Sequence, residues 1–291
     1  MKRVPRPAGE TPGLADYRRD HPDEVAAPVT EGAAIWERFR DSDGGARYRA
    51  LLDALTACQQ GLCGYCEQRL THPAKHPRAG ERRHGDYQVE HVEPKSAVVG
   101  AALDEANLML ACGGGTCMNR RDASRDRASA RRRANESCGQ HKGNGSLPAG
   151  CDPRMFGWDR PVVRISSDGR INADEAACRM SGIDPAMLDH AIDDVLNLNC
   201  ERLRVARQEI VDHIVGEVMP SVELLVDASP ELSASERQAI LTLIIGSHLR
   251  PDGHGHLKAF WSTWRGHLGH LGGFAEQWLA ANHALLNWSG A

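Results

Sequence analysis

The spacing of apolar and polar residues divides the first half of the chain into short elements. Residues 46–59 predict a helix, because apolar side chains recur every three or four positions before Gly61. Residues 87–94 alternate like a short strand, and residues 107–112 form a second short apolar segment. Residues 1–30 are rich in proline and lack a helical period, so they predict an extended arm on the body or a mobile tail.

Helical periodicity dominates from about residue 160 onward. One long amphipathic helix is marked by the apolar positions Leu203, Ala206, Ile210, Ile214 and Val218. A capping-box pattern at 233–236 begins another helix, and residues 256–266 and 272–287 predict two shorter ones. The pattern predicts an α+β fold whose three parts are an arm at 1–30, a domain at 31–160 and a mainly helical region at 161–291.

Composition narrows the class of protein. The chain has 291 residues, of which 41% are apolar and 25% charged, so a disordered protein is excluded. No apolar run approaches the roughly 18 residues that span a membrane, and no secretory signal pattern opens the chain. We therefore expect a cytoplasmic protein without membrane contact. Because the net charge is −4, a nucleic-acid site requires a local basic patch.

The nine cysteines are the first candidate chemistry. A cytoplasmic protein keeps its thiols reduced, so grouped cysteines favour a metal over a disulfide framework. Cys63 and Cys66, which are separated by two residues, point both sulfurs to one side of a tight turn and supply half of a zinc site. The alternative for this pair is a redox dithiol. Cys112 with either Cys117 or Cys138 would complete four ligands.

Further polar motifs lie between and beside the cysteine clusters. Glu90 and His91 end the predicted strand, Asn107 precedes the next one, and CGQHKG begins at Cys138. Together these motifs resemble the HNH endonucleases with a ββα-metal core and a zinc knuckle. The opening MKRVPRP, the turn CGYCE, and the segments VEHVEPKS and LNLNCERLRVAR resemble the HNH proteins of Septu-type and retron-associated anti-phage defence.

The resemblance implies a role for each matching residue. His91 would be the general base, and Asn107 would orient it by tying the loop. Glu90 would bind a catalytic Mg²⁺ or Mn²⁺ ion, since these cations prefer carboxylate oxygen. Structural zinc would be held by Cys63, Cys66, Cys112 and Cys138. The resemblance also implies an ABC-type ATPase as partner.

The sequence departs from the family at one position. Family members carry His or Asn just after the final cysteine, where this chain has Gly139. His141 would then supply the second ligand of the catalytic ion; alternatively Asn119 would, with Cys117 as the knuckle cysteine. If neither reaches the ion, the site is degenerate, and the protein is a zinc-knuckle module that binds nucleic acid or a partner.

An arginine-rich insert separates Cys112 from Cys138. Its density of positive charge predicts contact with phosphates of DNA, expected to be double-stranded. The alternative is a solvated loop, or one that docks on acidic residues of a partner. The predicted nucleic-acid contacts are Arg120, Arg121, Arg125, Arg127, Lys95 and Lys142.

Overall fold

The computed structural model describes residues 1–7, 9–70, 87–115, 134–227, 231–269 and 274–286. Its helices are α1 (Pro12–Asp20), α2 (Pro22–Val25), α3 (Gly32–Asp41), α4 (Ala46–Cys58), α5 (Cys138–Lys142), α6 (Glu175–Met180), α7 (Pro185–His190), α8 (Glu201–His213), α9 (Met219–Asp227), α10 (Ala234–Leu249), α11 (Trp261–Leu268) and α12 (Phe274–Asn282). Its strands are β1 (Tyr87–His91), β2 (Leu108–Cys112), β3 (Val163–Ile165) and β4 (Ile171–Ala173). The structure thus mixes helices with small antiparallel sheets, as the α+β prediction requires.

The first hairpin sits at the centre of the N-terminal half. β1 and β2 pair antiparallel, with Tyr87 opposite Cys112 and His91 opposite Leu108. All five side chains of β2 are buried, which explains its uninterrupted apolar sequence. The hairpin therefore places Glu90 and His91 at one end of the sheet and Cys112 at the other.

The N-terminal segment differs from the extended arm that its prolines predicted. Residues 1–7 are not helical, but α1 and α2 follow, and each begins with a proline. Proline is favoured in the first helical turn, where its missing N–H leaves no bond unmade. Leu14 and Tyr17, three positions apart, are buried by α1. The prolines of this segment start helices, and the prediction of an extended arm was wrong for residues 12–25.

The second half is mainly helical. α8 continues through a π-helical turn at Ile214–Val218 into α9, so the predicted long amphipathic helix is present with an irregular middle. The capping box is confirmed at the start of α10: the Ser233 hydroxyl accepts from the Glu236 N–H, and the Glu236 carboxylate accepts from the Ser233 N–H. The two shorter predicted helices correspond to α11 and α12.

Among the described residues, two apolar clusters form the interior. The larger contains the hairpin, the N-terminal helices and side chains as distant as Leu188 and Leu203. The smaller packs Trp261, Trp264 and Trp278 with leucines of the last helices. In the part of the chain that the structure describes, every helix is too short or too polar to cross a bilayer. The domain boundaries at residues 30 and 160 stay a prediction.

Candidate metal centre and active-site cleft

Four buried cysteines converge on one point. The sulfurs of Cys63, Cys66, Cys112 and Cys138 all lie within 4.8 Å of one another. The Sγ–Sγ distances are 3.9 Å from Cys63 to Cys138, and 3.7 Å from Cys112 to both Cys66 and Cys138. A tetrahedral zinc with Zn–S bonds of about 2.3 Å requires sulfurs about 3.8 Å apart. The cluster therefore fits a structural zinc ion.

Local backbone geometry explains how the sulfurs meet. In the turn Cys63–Cys66, the Cys63 N–H donates to the Gln68 carbonyl at 2.9 Å, and the Gly64 N–H donates to the Leu110 carbonyl at 2.9 Å. A Cβ on Gly64 would lie 2.6 Å from the sulfur of Met109, so glycine lets the turn approach the hairpin. Cys138 has a φ of 58°, a left-handed conformation that is uncommon for a residue other than glycine.

The structure brings Cys138 to the cluster and thereby identifies the fourth cysteine of this group. Cys117, the competing candidate, lies outside the described residues, as do Asn119 and the insert arginines 120, 121, 125 and 127. All eight described cysteines are free thiols, with no disulfide among them.

Glu90 lies against Gly139, the residue after Cys138, and is almost completely buried. Its Oε1 accepts from the Tyr65 hydroxyl at 3.2 Å and lies 3.1 Å from the Lys142 Nζ. Burial raises the pKa of the Glu90 carboxyl, and both partners oppose that rise. Tyr65, inside the CGYC turn, was not predicted as a site residue. Only its place between two predicted ligands could have indicated it.

The Glu90 carboxylate packs directly against Gly139. A Cβ at this position would overlap Glu90 Oε2 and lie 2.7 Å from Glu90 Cδ. The space that a side chain at position 139 would need is therefore filled by the carboxylate itself. This contact gives the glycine a role that its lack of a ligand atom did not suggest.

His91 follows on the same strand, and its ring lies nearly perpendicular to that of Trp36, with ring centroids 4.5 Å apart. Its Nε2 lies 3.0 Å from the Ala102 carbonyl oxygen, which only accepts hydrogen bonds. The proton must then be on Nε2, which leaves the lone pair on Nδ1. Burial, with smaller contributions from Lys95 and Lys142, lowers the pKa of His91 to about 3. With a pKa this low, the imidazole is neutral at pH 7.

Asn107 ties down the loop that follows β1. Its side-chain amide donates to the carbonyls of Glu93 at 2.9 Å and Ala101 at 3.1 Å. Its Oδ1 accepts from the Glu93 N–H at 2.8 Å. Since Ala102 follows Ala101, these bonds also fix the carbonyl that faces His91. The hydrogen bonds expected of Asn107 are thus present.

Two predicted contacts differ from their expected positions. His141 is exposed, its Nε2 lies 3.2 Å from the Asp194 carbonyl oxygen, and it is not among the residues that line the cleft containing Glu90. Lys142 is buried and donates to the carbonyls of His91, Val92 and Gly145 at 2.9–3.2 Å. Its ammonium group therefore forms hydrogen bonds inside the protein and does not face a nucleic acid. Both side chains lie on a helix of only five residues, whose rotation the sequence did not specify.

A cleft of about 920 Å³ opens over these residues. One wall is formed by α3 and α4 with Trp36 and Tyr48, and the other by β1 and α5 with Gln140. Glu90, His91 and Lys95 line the same cleft. Among the described residues, the four cysteines are the one group of three or more metal-binding side chains. Glu90 therefore belongs to no group of three or more such side chains in that part of the chain.

Comparison with known proteins adds one relative. The sequence matches no protein-family model. It is similar to an Escherichia coli protein named "Retron Ec83 putative HNH endonuclease" and is 27% identical to it. The similarity covers 73% of this chain and 80% of the relative. It confirms the resemblance to retron-associated HNH proteins that the sequence motifs indicated.

Proposed function

We propose that this protein is a divalent-metal-dependent HNH endonuclease that hydrolyses phosphodiester bonds of DNA. One observation carries the proposal: Glu90 and His91, adjacent on β1, face a common cleft beside a buried four-cysteine cluster. The 27% identical relative, whose name contains HNH endonuclease, supports the same reaction class.

His91 acts as the general base in this proposal. With its Nε2 proton directed at the Ala102 carbonyl, Nδ1 accepts a proton from the attacking water. The oxygen of that water then forms a bond to phosphorus while the bond to the leaving 3′ oxygen breaks. Asn107 acts through the loop, because its bonds to Glu93 and Ala101 keep the Ala102 carbonyl opposite the imidazole.

Glu90 would hold the catalytic ion. Tyr65 and Lys142 both contact Oε1, so Oε2 is the oxygen left to bind a cation. A single carboxylate suits Mg²⁺, which commonly keeps several waters and binds phosphate oxygens of the substrate. When bound, a divalent ion stabilises the negative charge that develops on the phosphate and on the leaving oxygen.

Zinc held by the four cysteines would be structural. All four positions of a tetrahedral ion are taken by protein sulfur, which leaves none for a substrate. The four cysteines come from the CGYC turn, the end of β2 and the start of α5, so a bound ion would link these three segments. Gly139, which follows Cys138 and contacts Glu90, lies directly after one of the residues that would hold the ion.

The biological setting is also part of the proposal. We propose a role in anti-phage defence with an ABC-type ATPase partner, supported by the resemblance to retron-associated proteins and by the name of the relative. We place the DNA in the cleft beside Lys95, with Arg120, Arg121, Arg125 and Arg127 of the insert as further phosphate contacts.

A plasmid-nicking assay tests the proposed reaction. The wild-type protein is incubated with supercoiled plasmid and with Mg²⁺, Mn²⁺ or EDTA, and is compared with Glu90→Gln. Nicking that requires the divalent ion and is lost in Glu90→Gln is the expected result. Nicking in EDTA, or full activity of Glu90→Gln, would contradict the proposal.

A non-catalytic zinc module is the second candidate. It is favoured by the Glu90–Lys142 contact, which engages the carboxylate with an internal cation, and by the absence of a ligand atom on Gly139. Salt-dependent DNA binding without nicking in either Mg²⁺ or Mn²⁺ would support this function over the endonuclease.

A further inference from the structure

The segment LNLNCERLRVAR, residues 196–207, contacts the chain on both sides of the metal centre. The Cys138 N–H donates to the Leu196 carbonyl at 2.8 Å. The side-chain amide of Asn197 donates to the Glu136 carbonyl at 2.8 Å. These bonds hold the stretch of backbone that leads into the fourth cysteine.

Arg202, in the first turns of α8, bridges the two halves of the cysteine cluster. Its Nη1 donates to Gln68 Oε1 at 3.0 Å, and its Nη2 donates to Ser137 Oγ at 2.8 Å. Gln68 follows Cys66 by two residues, and Ser137 immediately precedes Cys138. One guanidinium group therefore joins residues next to two cysteines that are distant in sequence.

Both partners of Arg202 also contact sulfur. The backbone N–H of Gln68 donates to Cys66 Sγ at 3.5 Å, and the Ser137 hydroxyl donates to Cys138 Sγ at 3.6 Å. A hydroxyl has one proton and two lone pairs. When Arg202 donates to a lone pair, the serine proton is free to point at the sulfur. Arg202 thus fixes the direction of a hydrogen bond to a cysteine.

We propose that Arg202 is a positioning residue of the zinc site, which clamps the Cys66 and Cys138 sides together from the helical region. The inference rests on the proposed zinc. Four thiolates around a divalent cation leave excess negative charge, which a nearby guanidinium offsets. Arginine suits this place because its planar fork reaches two acceptors at once, which lysine does not.

Zinc affinity of the full-length protein tests the inference. Chelator competition is measured on wild type, Arg202→Met and Arg202→Lys, with zinc content determined first. We expect both variants to bind zinc roughly 10–100-fold more weakly, as is usual when a partner of a metal ligand is removed. Ser137→Ala should also weaken zinc binding. The double variant with Arg202→Met should weaken it by less than the product of the two single-variant fold-changes.

Arg204→Met is the matched control. Arg204 lies two positions along the same helix, its side chain is 42% exposed, and its ion pair with Asp168 is long, at 3.8 Å. Its zinc affinity should equal that of wild type.

The outcomes separate the two proposals. A wild-type protein purified without zinc, and unable to bind it, would overturn the zinc assignment and this inference together. Wild-type zinc with unchanged affinity in both Arg202 variants would overturn this inference alone. If Arg202→Met does not fold, Arg202→Lys and Ser137→Ala decide, and wild-type affinity in both would refute the role of Arg202.

Discussion

Replacing Gly139 with alanine should destabilise the protein although it adds a single methyl group. The new Cβ would overlap Glu90 Oε2 and lie 2.7 Å from Cδ. The carboxylate cannot retreat freely, because Oε1 is held by Tyr65 and Lys142 and the side chain is buried. The glutamate must therefore rotate away from its partners or the short helix α5 must shift.

The size of the effect follows from these contacts. Overpacking a buried site costs about 1–3 kcal/mol. Weakening a hydrogen bond to a charged group costs about 1.5–3 kcal/mol. Together these costs should lower the free energy of unfolding by about 2.5–6 kcal/mol. At roughly 2–4 °C per kcal/mol for a chain of this size, the melting temperature should fall by about 5–24 °C.

Thermal and urea unfolding of Gly139→Ala measure this loss. Gly266→Ala is the control, because Gly266 is exposed in α11 and has nothing within 4 Å of its added Cβ. Helix propensity predicts that the control gains up to about 1 kcal/mol. A Gly139→Ala protein that melts with the wild type would refute the close contact between glycine and carboxylate.

Three further changes test other parts of the site. Zinc removal, by chelation or Cys63→Ser, should increase amide hydrogen exchange in residues 60–70, 87–115 and 134–145, because small metal sites couple binding to folding. Unchanged exchange would contradict the zinc assignment. Lys142→Met should cost about 3–5 kcal/mol in urea unfolding, because it leaves the buried Glu90 carboxylate without its cation; a loss below about 1 kcal/mol would argue against the pair. Asn107→Ala removes three hydrogen bonds and should cost about 1.5–4 kcal/mol while slowing cleavage in the folded protein; wild-type stability would exclude its role in the loop.

Part of the four-cysteine cluster could be predicted from the sequence because short spacings carry geometric information. Cys63 and Cys66 lie in one turn, and the turn alone sets their sulfurs side by side. The choice between Cys117 and Cys138 depended on long-range packing. It is the bond from Cys138 to Leu196, far along the chain, that fixes Cys138 in the cluster.

The buried contacts of the site could not be predicted from the local sequence pattern. Lys142 follows a sequence typical of an exposed helix end, yet its ammonium group faces four acceptors inside the protein. The pKa of His91 depends on burial by Trp36 and neighbouring segments, which no spacing encodes. The helices at residues 12–25 were missed for a different reason. Their prolines occupy first-turn positions, where proline favours a helix.

The central claim is that His91 removes a proton from the attacking water, and the cleavage rate of His91 variants tests it most directly. His91→Gln keeps a donor for the Ala102 carbonyl but has no basic nitrogen, and His91→Ala removes both. Plasmid nicking, melting temperature and zinc content are measured on the same preparations, with the exposed His190→Ala as control. The account predicts that both His91 variants fold, keep zinc and cut roughly 10²–10⁴-fold more slowly than wild type. A folded His91→Gln protein that cuts at the wild-type rate would contradict it.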